Sequence, residues 1–266
     1  MSLSDAEGLL ACPRCGEALL LADGAAACST GHSFDVARQG YLNLLGGPQP
    51  HHADTPAMVA ARGRVLASGA FDGVADAVAR ALVGCRLLLE VGAGTGWYLG
   101  RALGAFPEAT GIALDISTAA AKQAARVPRV AAIVADVWRP LPLLPASVEA
   151  VLCVFAPRNG AEFRRVLAAS GRLVVVTPNP GHLATVRGRY GLLDIDPTKD
   201  ERLAATLTGF VETTQVRVTS HTEAGADLVR DVIGMGPNAF HAQVVAAPSL
   251  LEVDVTVRTF RAEPSA

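Results

Sequence analysis

The hydrophobic pattern changes rhythm along this chain. From residue 87 onward, short apolar runs alternate with segments whose apolar residues recur at three- and four-residue steps. The runs are "RLLLEV", "ATGIALD", "RVAAIVAD", "VEAVLCVFA" and "GRLVVVTP"; the segments are "TGWYLGRALGAF", "STAAAKQAARV" and "AEFRRVLAA". Strands buried on both faces read as continuous apolar runs, so this alternation predicts a parallel sheet covered by helices on each side. The tail departs from it. "FVETTQVRVTSH" and "LLEVDVTVRTFRAE" alternate with a period of two on either side of a helical "EAGADLVRDVIGMG", predicting a final antiparallel pair on the sheet. Upstream, "PAMVAARGRVLASGAFDGVADAVARALV" has helical spacing interrupted at Gly69 and predicts two helices.

The N-terminal stretch has neither rhythm. "EALLLADGAAA" reads as a hairpin with "DG" at its turn. "SFDVARQGYLNLL" (33–45) is an aromatic, Arg-bearing segment, and "GGPQPHHADTPA" (46–57) is a Gly/Pro/His-rich linker in which His51 and His52 read as solvated. The pattern thus divides the chain into an N-terminal module at 1–45, a linker and helix at 46–70, and an α/β domain at 71–266.

Half of the 266 residues are hydrophobic, which is a globular composition. The 23 Lys and Arg against 25 Asp and Glu give a net charge of -2, so a nucleic-acid surface would have to be local. Lysine is confined to Lys122 and Lys199, leaving nearly all positive charge to Arg. No apolar run approaches the roughly 18 residues of a spanning helix, and "MSLSDAEGLL" lacks the basic start and apolar core of a signal peptide. The expectation is a cytoplasmic protein with no membrane partner. Cysteines in such a compartment point to metal before disulfides.

Cys12 and Cys15 stand as C-x2-C, and Cys28 and His32 follow twelve residues later as C-x3-H. Two ligand pairs, each closed by a tight turn with a glycine beside a ligand (Gly16, Gly31), are what a tetrahedral zinc ribbon requires. Four protein ligands leave no open position, so the zinc would be structural. Farther on, "EVGAGTGWY" follows a strand and opens a helix, with Gly92, Gly94 and Gly96 as G-x-G-x-G. Dinucleotide folds place another glycine where this chain has Trp97. Glu90, two residues before the loop, suits a cationic ligand better than a pyrophosphate. S-adenosylmethionine, with its ammonium and sulfonium, is such a ligand. Asp115 ends the second strand, placed for ribose hydroxyls, and Asp136 ends the third, placed near the adenine. The fourth strand ends "CVFAPRN" without the N-P-P-[YF] of adenine N6 chemistry or a Pro-Cys nucleophile. Cys153 reads as inert core.

Together, "CPRCG…C…GHSFDVARQGYLNLL", "ADTPAMVAARGRVLASGAF", "EVGAGTGWYL", "CVFAPRN", "TPNPGHL" and "MGPNAFH" resemble the RlmA group of 23S rRNA guanine-N1 methyltransferases, with features of the RlmAII, tylosin-resistance branch. The resemblance spans nearly the whole chain. It implies a class I S-adenosylmethionine-dependent methyltransferase, a Rossmann-like α/β fold with a seven-stranded sheet, preceded by a zinc ribbon. It implies methylation of a guanine in a domain II hairpin of 23S rRNA at the peptide exit tunnel, a contribution to macrolide resistance, and a homodimer whose ribbons help form an RNA cleft. Carried over by position, it adds Phe71, Thr95, Gly96 and His182 to the cofactor site. Close relatives often have Tyr at the Phe71 position, so a stacking face is kept and a hydroxyl lost.

Guanine N1 is protonated in its usual tautomer, so methylation needs help in removing that proton. His182, His241 and Asp136 are the candidate bases, with hydroxide acting after O6 polarisation as an alternative. An extruded base needs an aromatic platform, for which Phe155, Trp97, Trp138 and Phe240 are available. Arg38, Tyr41, Asn43, Arg62, Arg64 and Arg158 are the candidate RNA contacts. The N-terminal module itself carries more acids than arginines. A zinc-ribbon methyltransferase acting on another RNA, a protein or a small molecule is the rival reading. A non-catalytic ribosome-binding protein is a second, disfavoured by the intact set of acids and glycines.

Overall fold

Asp23 and Gly24 both take positive φ (51 and 78), the backbone that folds two strands onto each other with matching twist. They join β1 (Leu19–Ala22) to β2 (Ala25–Cys28), and β3 (Ser33–Asp35) adds antiparallel to β2. The computed structural model describes residues 3–51, 53–196, 198–236 and 245–263. After β4 (Tyr41–Asn43) come the two expected helices, α1 (Pro56–Ala67) and α2 (Asp72–Ala81). Thr55 caps α1 by accepting the Met58 N–H at 3.3 Å, Pro56 opens it, and Gly69 (φ 82) turns the chain between the two.

The apolar runs form strands as predicted: β5 (Leu87–Val91), β6 (Thr110–Asp115), β7 (Val130–Val134), β8 (Val148–Val154) and β9 (Leu167–Pro178). They alternate with α3 (Trp97–Ala105), α4 (Thr118–Ala124) and α5 (Gly160–Val166). Then come α6 (Ala184–Tyr190) and α7 (Lys199–Thr206), which the pattern did not predict, and the antiparallel pair β10 (Phe210–Ala224) and β11 (Ser249–Ala262) around α8 (Ala226–Gly234). The sheet runs β10-β11-β9-β8-β5-β6-β7-β4 and is parallel except for β10 and β11.

Among the described residues the α/β domain supplies the seven strands expected of it, β5 to β11, and β4 adds an eighth at the sheet edge. β4, from the N-terminal module, pairs parallel with β7 through Tyr41↔Ala132 and Asn43↔Val134. It satisfies backbone groups that β7 would otherwise present as a bare edge.

Because side chains alternate across a sheet, successive residues feed two cores. Leu88, Ala113 and Val174 face a cluster with α1, α2, α3 and α8, whereas Leu89, Leu114 and Val175 face one with α5 and α7. The second core also contains Leu10, Leu19, Phe34 and Leu42. The ribbon therefore shares a core with the sheet, and backbone bonds from Ala11 to Pro142 and from Leu144 to Leu9 fasten it there. No helix among the described residues is long and apolar enough to cross a membrane.

Candidate functional site

The ribbon turns bring Cys12, Cys15, Cys28 and His32 together, with all ligand atoms within 4.8 Å of one another. Cys15 Sγ lies 3.7 Å from Cys28 Sγ, and His32 Nδ1 lies 3.5 Å from both Cys12 Sγ and Cys28 Sγ. Zinc bonded tetrahedrally to sulfur at about 2.3 Å has edges of about 3.8 Å, so these spacings suit the ion. The sequence did not single out Thr30. Its Oγ1 is 3.2 Å from Cys15 Sγ, 3.0 Å from Cys28 Sγ and 3.2 Å from His32 Nδ1, capping one face of the tetrahedron. That hydroxyl is the leading cause holding the Cys28 thiol down at about 6 and the Cys15 thiol below its ordinary value, which favours the thiolates a metal needs.

The second site lies at the carboxyl ends of the parallel strands, where β5 has β6 on one side and β8 on the other. Ligands bind open α/β sheets at such a reversal of strand order. A cavity of about 600 Å³ opens there. It is lined by Phe71, Glu90, Gly92, Gly94, Thr95, Asp115 and Asp136 of the cofactor set, while Gly96 caps α3 directly behind. Gly92 (φ 65) is irreplaceable on two counts: a Cβ there would meet the Ala156 Cβ at 2.4 Å, in a backbone region L residues avoid. The Asp115 carboxylate accepts the Gly94 N–H at 2.7 Å and the Ser117 N–H at 2.8 Å, bracing the loop against β6.

Glu90 is 1% exposed and accepts the Leu99 N–H at 3.1 Å. Burial pushes its carboxyl up to about 8. Asp115 is also raised, by burial first. Both effects mark a cavity in which negative charge lacks a full complement of partners, as a cationic ligand would supply. Tyr98 lines the same cavity, its hydroxyl shielded from solvent and without a hydrogen-bond partner.

His182 lies next to this cavity, outside its lining. Its ring stacks on Phe155 (5.6 Å, 24°) and meets Phe71 edge-on (6.0 Å). Nδ1 accepts the Asp254 N–H at 3.3 Å, which places the proton of the neutral ring on Nε2. Asp136 accepts the Trp138 N–H at 2.9 Å. Phe155, at the end of β8, has positive φ (52) and is 42% exposed. Trp138 is exposed at the cavity, and Trp97 lines it with Arg101 over its ring. His52, Phe240 and His241 lie outside the described residues. Cys153 is buried, its thiol held up at about 12 by desolvation.

The RNA candidates separate. Arg38 is exposed, in the turn between β3 and β4; Tyr41 is half-buried, and Asn43 is exposed on β4. Arg64 is engaged by Asp231 of α8 through two bonds of 2.6 and 2.7 Å. Arg158, half-buried after β8, has its Nε shielded and unpaired. Arg62 turns into the cavity, pairing with Asp54 and donating to the Met235 carbonyl at 2.7 Å. Ala53, Asp54, Met58 and Arg62 thus form a cavity wall from the stretch read as linker and helix. No spacing rule marks them, because they reach the site only through the docking of α1.

Two family models match: "RlmA, N-terminal", a zinc ribbon, over residues 10–50, and "Methyltransferase domain" over residues 88–176. A protein of Micromonospora griseorubida, provisionally named 23S rRNA (guanine-N(1)-)-methyltransferase, is 43% identical over 96% of this chain and 97% of its own length. The 23S rRNA (guanine(748)-N(1))-methyltransferase of Streptomyces fradiae is 39% identical over 93% of this chain and 94% of its own. Among solved structures, a Haloferax volcanii methyltransferase in complex with the activator Trm112 superimposes with a TM-score of 0.53 at 15% identity. That match covers 78% of this chain and 95% of that one and shows the shared fold.

Proposed function

We propose, from the premise that this chain belongs to the 23S rRNA (guanine-N(1)-)-methyltransferases, that it methylates N1 of a guanine in a domain II hairpin of 23S rRNA near the peptide exit tunnel. The similarity to the Streptomyces fradiae enzyme carries this reading, because it runs through ribbon and sheet alike. S-adenosylmethionine supplies an electrophilic methyl group on a sulfonium. The acids of the cavity suit its cations, with Glu90 toward the amino-acid end, Asp115 toward the ribose and Asp136 toward the adenine amino group. Cys12, Cys15, Cys28 and His32 would hold the structural zinc.

Phe155 is the platform for the target base in this reading. It is exposed, packed between the His182 stack and the Phe71 edge, and part of the cavity lining. His182, with its proton on Nε2, serves as a donor to the guanine O6. Polarising O6 acidifies N1, whose proton then passes to solvent. His182 is thus a positioning and polarising group, and no side chain is needed as a strong base. Holding the base and the cofactor in contact supplies the rest by proximity. Arg38, Tyr41 and Asn43 lie where the ribbon meets the sheet and would grip the hairpin, with the ribbons of a homodimer completing the cleft. The enzyme would act in the cytoplasm and contribute to macrolide resistance of the tylosin type.

Primer extension across the domain II hairpin, with 23S rRNA from cells with and without the gene, tests this. Methylation of N1 blocks the Watson–Crick edge, so reverse transcriptase halts one nucleotide short of the modified guanine. A gene-dependent stop is expected. Absence of any such stop in 23S rRNA, with the protein expressed and zinc-loaded, would overturn the substrate assignment.

A further inference from the structure

Among the described residues, four carboxylates line the cavity, those of Asp54, Glu90, Asp115 and Asp136, together with a single guanidinium, that of Arg62. A cofactor whose amino-acid end carries both an ammonium and a carboxylate cannot be held by acids alone, since its carboxylate needs donors. We infer that Arg62 is the receptor for the carboxylate of the methionine moiety.

Two observations support the assignment. The Arg62 guanidinium lies over the glycine loop, with Nη1 3.1 Å from the point where a Cβ on Gly94 would stand. Asp54 and the Met235 carbonyl fix its plane while using only part of its donor set, leaving N–H groups for a further acceptor. A carboxylate can accept from these N–H groups, while Glu90, just before the same loop, suits the neighbouring ammonium. Asp54 would keep the guanidinium folded inward before binding. Its backbone carbonyl is itself anchored by the Ser117 hydroxyl at 2.7 Å, so the segment leading into α1 is tied to the N-cap of α4.

The test is calorimetry with two ligands: S-adenosylhomocysteine, and its decarboxylated form, which keeps the amine. For Arg62→Ala the affinity for the intact ligand should fall about 10- to 100-fold, the range for a lost charged hydrogen bond, while the decarboxylated ligand binds as it does to the wild type. Arg62→Lys, which keeps the charge but loses the planar fork of donors, should give the same pattern with a smaller loss. Unchanged binding of the decarboxylated ligand also shows that the variant is folded. Equal losses for both ligands would make Arg62 a strut of the wall, and no loss for either would remove it from the site; each result overturns the inference. Wild-type protein that binds neither ligand would instead overturn the cofactor assignment itself.

Discussion

In β7 every residue from Val130 to Val134 is buried, whereas in β1 of the ribbon only Leu19 of four residues is. The sheet gains its order from apolar area removed from water on both faces, at about 25 cal/mol per Å². The ribbon has few such side chains: β2 is three alanines and a zinc ligand. What holds it is the tetrahedron of Cys12, Cys15, Cys28 and His32 on one side and borrowed burial on the other, where Leu10, Leu19 and Phe34 join the core under Ile133 and Leu143. One region would fold around carbon and the other around an ion, and the seam between them is apolar.

Removing the ion breaks this comparison most directly. Cys28→Ser should reduce zinc from one ion per chain to near none and lower rRNA methylation at least ~100-fold, since structural zinc contributes about 10 kcal/mol or more to such modules. S-adenosylhomocysteine affinity should change less than about threefold. Metal analysis and calorimetry on one preparation check both. A parallel collapse of cofactor binding would show that the shared core makes the two regions one cooperative unit.

Gly92→Ala is the converse. The added Cβ meets Ala156 at 2.4 Å with φ at 65, so strain and overpacking together cost about 2–4 kcal/mol. Calorimetry should show S-adenosylhomocysteine affinity lower by about 10- to 100-fold, with zinc content untouched.

The smallest effect separates the regions by pH. The fold favours protonated Glu90, whose carboxyl lies near 8 instead of 4.5. Its contribution to the ligand-free protein is therefore whole below about pH 4.5 and is lost as pH rises toward about 8. Glu90→Gln cannot ionise, so its melting temperature should exceed the wild type's by a margin that widens between pH 5 and 8. A constant margin would mean that Glu90 is not the titrating group.

The sheet was legible because its signal is local: a strand buried on both faces must be apolar throughout, and a glycine loop after such a strand has few other uses. The ribbon was legible from ligand spacing alone. Other features have no local signature. β4 is three residues long, and its partner lies some ninety positions away. Leu183 enters α6 through a left-handed backbone, and Gly188 sits inside that helix, so no sequence rule calls it helical. Arg62 and Arg64 are neighbours on one helix, and both read as RNA contacts. Yet α1 packs so that the first enters the cavity and the second pairs with α8. Side-chain destination on a docked helix depends on tertiary packing, which sequence periodicity does not resolve to single residues.

The attachment of β4 to β7 also bears on how a bulky, jointed substrate is captured. Had the two regions been joined only by a glycine-rich tether, each encounter would have had to freeze their relative motion, at a cost drawn from affinity. Hydrogen bonds in register from Tyr41 to Asn43 remove that freedom when the chain folds. A ligand that touches both regions meets a jig already clamped, and any adjustment needed to close the grip falls to the ligand.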